Sequence, residues 1–73
     1  MNMISKIENG TETGVLLAEA RQRRGYSLDD VAETSGLTVD EVAALESGED
    51  TDLARTARAA AALGITEADL KSA

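Results

Sequence analysis

The 73-residue chain is long enough for one domain with a thin core, and it has no cysteine and no histidine. Disulfide staples, Cys/His zinc sites and Ser-His or Cys-His nucleophile pairs are therefore excluded. With 14 acidic against 7 basic residues and a net charge of −7, the surface cannot be basic overall, and Tyr26, the single aromatic, cannot make a base-stacking platform.

In chain order, Met1 to Gly10 carries Lys6 and Glu8 but no apolar stretch. It does not read as a signal peptide, and residues 1–12 are expected to be a flexible tail, with a single domain over 13–73. No apolar run approaches the about 20 residues that cross a bilayer. No membrane association is expected, and a cytoplasmic location fits the missing cysteine.

Glycines punctuate the chain at Gly10, Gly14, Gly25, Gly36, Gly48 and Gly64. From Gly14 on they separate segments of helical length, as residues just past helix ends do. The first segment runs from about Thr13 to Arg24, with Leu17, Ala20 and Arg21 on one face. The second opens at Ser27 as N-cap, with Asp30 three residues on, and buries Val31 and Ala32 before Gly36. The third opens at Thr38 with Glu41 in the capping-box position. Val42 and Leu45 form its inward stripe, and Gly48 closes it. The fourth opens at Asp52; its expected stripe is Leu53, Thr56 or Ala57, Ala60 and Leu63, and Gly64 stops it. The fifth opens at Thr66 with Asp69 as its acid and anchors Leu70. Five short helices with short links predict an all-α, compact five-helix globule around one core. Such a surface offers no pocket to shift carboxylate pKa values, so neither an enzyme nor a cofactor or metal is expected.

The stretch LLAEARQRRGYSLDDVAETSGLTVDEVAALESGEDTDLARTARAAAALGITEADL resembles the Cro/C1-type (XRE) helix-turn-helix family of phage and bacterial repressors. Shared landmarks are the Arg-Arg-Gly end of the first helix, Ser27, Ala32, Gly36-Leu37-Thr38, Val42, Leu45, Glu46-Ser47-Gly48 and the late Ala-Leu-Gly-Ile. The resemblance covers about residues 14 to 70 and implies a repressor-like fold with its helix-turn-helix near residues 27 to 47. It also implies an architectural ion pair, Arg21 with Glu46. By the same likeness, the groove-facing positions are Leu28, Val39, Asp40, Glu41, Ala43 and Ala44, and the fourth-helix start near Arg55 and Arg58 approaches the DNA backbone.

The residues at those positions are unusual for reading DNA. Leucine, valine and alanine cannot make the bidentate hydrogen bonds that identify base edges. From Tyr26 to Leu53 there is no lysine or arginine, while Asp29, Asp30, Glu33, Asp40, Glu41, Glu46, Glu49, Asp50 and Asp52 all lie there. Asp30, Glu41 and Asp52 have capping roles, and carboxylates favour helix N-termini. Two functions remain open. In one, Leu28, Val39, Ala43 and Ala44 form an apolar centre inside a rim of Asp29, Glu33, Asp40 and Glu49, and bind a protein with a basic surface, such as a transcription factor. The chain would then act as an antiactivator-like or antitoxin-like inhibitor. In the other, the chain is a DNA-binding repressor acting as a dimer on a two-fold operator, with Arg55 and Arg58 on phosphates. Val15 and Leu16 are candidates for a dimer contact or for cover by the N-terminal tail, so monomer and homodimer both stay open.

Overall fold

In the computed structural model, residues 9–66 and residue 69 are described. Four helices follow one another: α1 (Asn9–Arg23), α2 (Leu28–Ser35), α3 (Val39–Ser47) and α4 (Leu53–Ala62). The class is all-α as expected, and the described residues hold four helices where five were expected in the chain. At the start of the expected fifth, Thr66 and Asp69 exchange the cap hydrogen bonds, amide to carboxylate and amide to hydroxyl, both 3.1 Å. The Thr66 amide and then its hydroxyl hold the Asp69 carboxyl below the usual carboxylate range. Leu70, the expected anchor of that segment, lies outside the described residues.

α1 begins at Asn9, four residues before the expected start, so Asn9 to Glu12 are helix where a tail was expected. Glu12 in the first turn favours this by facing the positive end of the helix dipole. Both Gly10 and Gly14 lie inside α1, and only the second has a visible reason. Gly14 is buried, and a Cβ on it would stand 2.8 Å from the backbone carbonyl carbon of Glu46. Its missing side chain is what lets α1 lie directly against the end of α3.

The caps are where the local sequence placed them. The Ser27 hydroxyl accepts from the Asp30 amide at 3.0 Å and the Asp30 carboxylate accepts from the Ser27 amide at 2.8 Å. Thr38 and Glu41 repeat the arrangement at 3.0 and 2.9 Å. The Asp52 carboxylate accepts from the Arg55 amide at 2.9 Å. Caps of this kind each contribute about 1 kcal/mol. α2 ends at Gly36, whose φ of 80° suits a residue without a side chain. The next amide, Leu37, donates back to the Ala32 carbonyl at 3.1 Å while its side chain enters the core.

The core is Leu17, Ala20, Val31, Ala32, Leu37, Val42, Leu45, Ala59, Ala60 and Leu63, with Leu28, Ala62 and Ile65 packed on its edge. α1 packs on α3, and α2 on both α3 and α4. In α4 the inward stripe is Thr56, Ala59, Ala60 and Leu63. Leu53, expected in that stripe, is 83% exposed, and Ala57 is exposed as well. At 100° per residue, Leu53 falls beyond the edge of the stripe and, at the first turn, has no preceding turn to fold against. Thr56 takes the inward place because its hydroxyl donates to the Asp52 carbonyl at 2.8 Å. No helix among the described residues is long and apolar enough to cross a membrane.

Candidate recognition face

α2 and α3 are joined through the Gly36-Leu37-Thr38 turn, and the burial of Leu37 locks that turn to the core. With Val31, Ala32, Val42 and Leu45 directed inward, the remaining positions of both helices are directed outward. On α2 these include Asp29 and Glu33, both exposed. On α3 they include Val39, Asp40 and Ser47, which are exposed, and Glu41, Ala43, Ala44 and Glu46, which are half-buried. Val39 is 37% exposed. Leu28 is half-buried, with part of its side chain against the core, so it contributes less open apolar surface than its position suggests.

Five of the nine carboxylates between Tyr26 and Leu53 are engaged by the fold itself. Asp30 and Glu41 complete capping boxes. Glu46 receives the Arg21 guanidinium, Nε at 2.7 Å and a terminal nitrogen at 3.1 Å. That hydrogen bond pushes the Arg21 pKa up. The pair expected as architecture is therefore present and links α1 to α3. Asp50 receives Arg55 at 2.6 and 3.2 Å, and Asp52 caps α4 while lying 3.7 Å from the same guanidinium. The other four, Asp29, Glu33, Asp40 and Glu49, are exposed and make no ion pair and accept no side-chain hydrogen bond among the described residues. They are the four assigned from sequence to the rim.

The Arg55–Asp50 fork is absent from the expectations drawn from sequence. It holds the Asp50 carboxyl below the usual range, first by the Arg55 hydrogen bond and then by the Asp52 amide. The Asp50 hydrogen bond, followed by the charges of Asp50, Asp52 and Glu41, pushes Arg55 up. Arg55 is thus occupied by carboxylates rather than open for a phosphate. Arg58 is exposed and makes no ion pair among the described residues. The only forewarning in sequence was an acid in the α3–α4 link five residues before an arginine.

Chemically, the face offers methyl groups and carboxylates. It can contact apolar surface and attract cations, and among Leu28, Asp29, Glu33, Val39, Asp40, Ala43 and Ala44 no side chain carries a cationic or amide donor for base edges or phosphates. No group of three or more acidic residues capable of holding a metal ion occurs among the described residues.

A family model described as Helix-turn-helix matches residues 17–70. The chain belongs to the Cro/C1-type helix-turn-helix family. The match spans all of α2 to α4 and the part of α1 that carries Leu17 and Arg21. The family is one of regulatory domains, typically DNA-binding, and not of enzymes. No curated protein and no solved structure matches the chain.

Proposed function

We propose that this helix-turn-helix domain is a small transcription-related regulator in the cytoplasm that binds and inhibits a protein partner, antiactivator-like or antitoxin-like, through its recognition face. The partner presents a basic surface, as a transcription factor does. Leu28, Val39, Ala43 and Ala44 supply the apolar centre, and Asp29, Asp40, Glu33 and Glu49 surround it. One observation carries the reading: the stretch from Tyr26 to Leu53 contains no cation, and four of its carboxylates have no partner among the described residues. DNA affinity in this geometry comes largely from neutralising phosphates and releasing counterions, and this face would repel phosphates instead. An apolar centre within a charged border suits a protein surface of opposite sign.

A second reading, a sequence-specific DNA-binding repressor, is favoured by the family match over residues 17–70 and by the intact turn and capping boxes of α2 and α3. In that reading Arg58 is the available phosphate contact, because Arg55 is held by Asp50. Mobility shift of the protein with its own promoter DNA, across a salt series, separates the two. The expected result is no specific retardation at any salt concentration. Specific retardation that weakens with salt would establish the repressor and overturn the protein-partner reading.

A further inference from the structure

We propose that Arg24 is a strap between α1 and α4: its guanidinium lies over Gly64 and holds the C-terminal end of α4 to the end of α1. The strap is independent of which partner the recognition face takes.

The Arg24 amide donates to the Ala20 carbonyl at 3.2 Å, which continues the last turn of α1. Arg21 and Arg24, three residues apart, therefore leave that turn on neighbouring sides. Arg21 reaches Glu46 on α3 and the Tyr26 carbonyl. Arg24 reaches the end of α4 instead. A Cβ built on Gly64 would stand 2.6 Å from a terminal guanidinium nitrogen of Arg24 and 3.5 Å from its Cζ. The guanidinium thus occupies the space that a side chain at position 64 would fill. No other direct tie of this kind is needed elsewhere: α1 packs mainly on α3, and α2 on both α3 and α4, while α1 and α4 share no comparable interface.

The end of α4 supplies the attraction. No carboxylate draws Arg24 there, since it makes no ion pair among the described residues. The Ile65 amide donates to the Ala60 carbonyl at 2.8 Å and the Gly64 amide to the Ala61 carbonyl at 3.1 Å, which closes the helix. Among the described residues nothing donates to the carbonyls of Ala62 and Leu63. Open carbonyls of this kind carry the negative end of the helix dipole and attract a cation. α4 has no basic residue in its own last turn, so a cation from α1 takes that place.

The test is a double-mutant cycle on the full chain, read from denaturant unfolding. Arg24→Ala should raise the unfolding equilibrium constant about threefold, the size of one cation's attraction to a helix end. Arg24→Met, which keeps an apolar stem and drops the charge, should lose as much. Gly64→Ala strains a left-handed backbone and also evicts the guanidinium. Its cost should therefore be about threefold smaller in the Arg24→Ala background than in the parent. Arg23→Ala removes the same charge from the adjoining residue and should leave the cost of Gly64→Ala unchanged. A second readout holds even where Gly64→Ala does not fold. Arg24→Ala should move the amide NMR shifts of Gly64 and Ile65, which are distant from it in sequence, and Arg23→Ala should not. Equal costs of Gly64→Ala in the parent and in Arg24→Ala, unmoved Gly64 and Ile65 shifts, or an Arg24→Met protein as stable as the parent would each overturn the strap.

Discussion

The Arg21–Glu46 and Arg55–Asp50 pairs share one geometry, in which Nε and a terminal nitrogen donate to two carboxylate oxygens at 2.7 and 3.1 Å in the first and 2.6 and 3.2 Å in the second. They differ in reach and in contact with water. The first joins side chains 16% and 13% exposed across 25 residues of chain, and the Arg21 third nitrogen also donates to the Tyr26 carbonyl at 3.0 Å. It therefore binds α1, the turn into α2 and the end of α3 in one junction. The second spans five residues, and its arginine is 40% exposed. It shapes the α3–α4 link and leaves the helices where the core puts them. The same ionic chemistry is thus structural where it is shielded and long-range, and a local adjustment where it is wet and short-range.

The strongest way to break this comparison is at Gly14, because the Arg21–Glu46 junction requires α1 to touch α3. Gly14→Val should destabilise the domain by about 3 kcal/mol, read from denaturant midpoints, since no rotamer change can relieve a collision with backbone. Gly14→Ala is the sharper variant. Alanine favours helix over glycine by about 1 kcal/mol, so a net loss of stability means that the close approach outweighs propensity. A Gly14→Ala protein more stable than the parent would show that the two helices can separate freely. The next effect in size is at the pair itself. Arg21→Met leaves the Glu46 carboxylate shielded and unpaired, and should cost about 2 kcal/mol. Adding Glu46→Leu should recover most of that loss. If Arg21→Met alone melts like the parent, the two arginine pairs are energetically alike and the distinction between them collapses.

Much of this architecture was legible in the sequence, for local reasons. Ser27 with Asp30 and Thr38 with Glu41 satisfy backbone groups within one turn, so their roles depend on no distant residue. The inward pairs Val31 with Ala32 and Val42 with Leu45 stand out because charged residues flank them on α2 and α3. α4 gave no such contrast. With Leu53, Ala54, Ala57, Ala59, Ala60, Ala61 and Ala62 all apolar, hydrophobicity does not say which side is buried. The stripe expected from sequence therefore begins one turn too early, at Leu53, and omits Ala59, which is buried. The start of α1 was hidden by Gly10 and Gly14, both poor helix formers. The reason the second is tolerated lies on α3, more than thirty residues away in sequence. Between Tyr26 and Leu53, setting aside the capping acids Asp30, Glu41 and Asp52 and the paired Glu46 still leaves Asp50 beside Asp29, Glu33, Asp40 and Glu49, and only the Arg55 pair in the structure sets Asp50 apart. The Arg55–Asp50 fork depended on the path of a link that no periodicity describes.

The smallest expected effect concerns that fork and is seen locally rather than in the melting of the whole domain. The folded-state pKa of Asp50 lies below its ordinary value, so the fork's contribution is complete at neutral pH. It declines as pH falls below the ordinary carboxylate range and is lost once pH has passed through the depressed value. In acid, the Arg55 Nε–H should lose its protection from exchange, and so should the Asp52 amide that donates to Asp50 at 2.9 Å. Asp50→Asn should make both signals nearly insensitive to acid, because the group that titrates is gone, while the N-cap bond from Asp52 to the Arg55 amide keeps α4 in place at neutral pH. Unchanged protection of the Arg55 Nε–H throughout the acid titration would mean that the guanidinium is held by something other than the Asp50 charge. An acid-induced loss confined to residues 50–55, with the α1–α3 junction still protected, would place the two pairs in separate cooperative units. The α3–α4 link and the first turn of α4 would then open while the scaffold behind them stays closed.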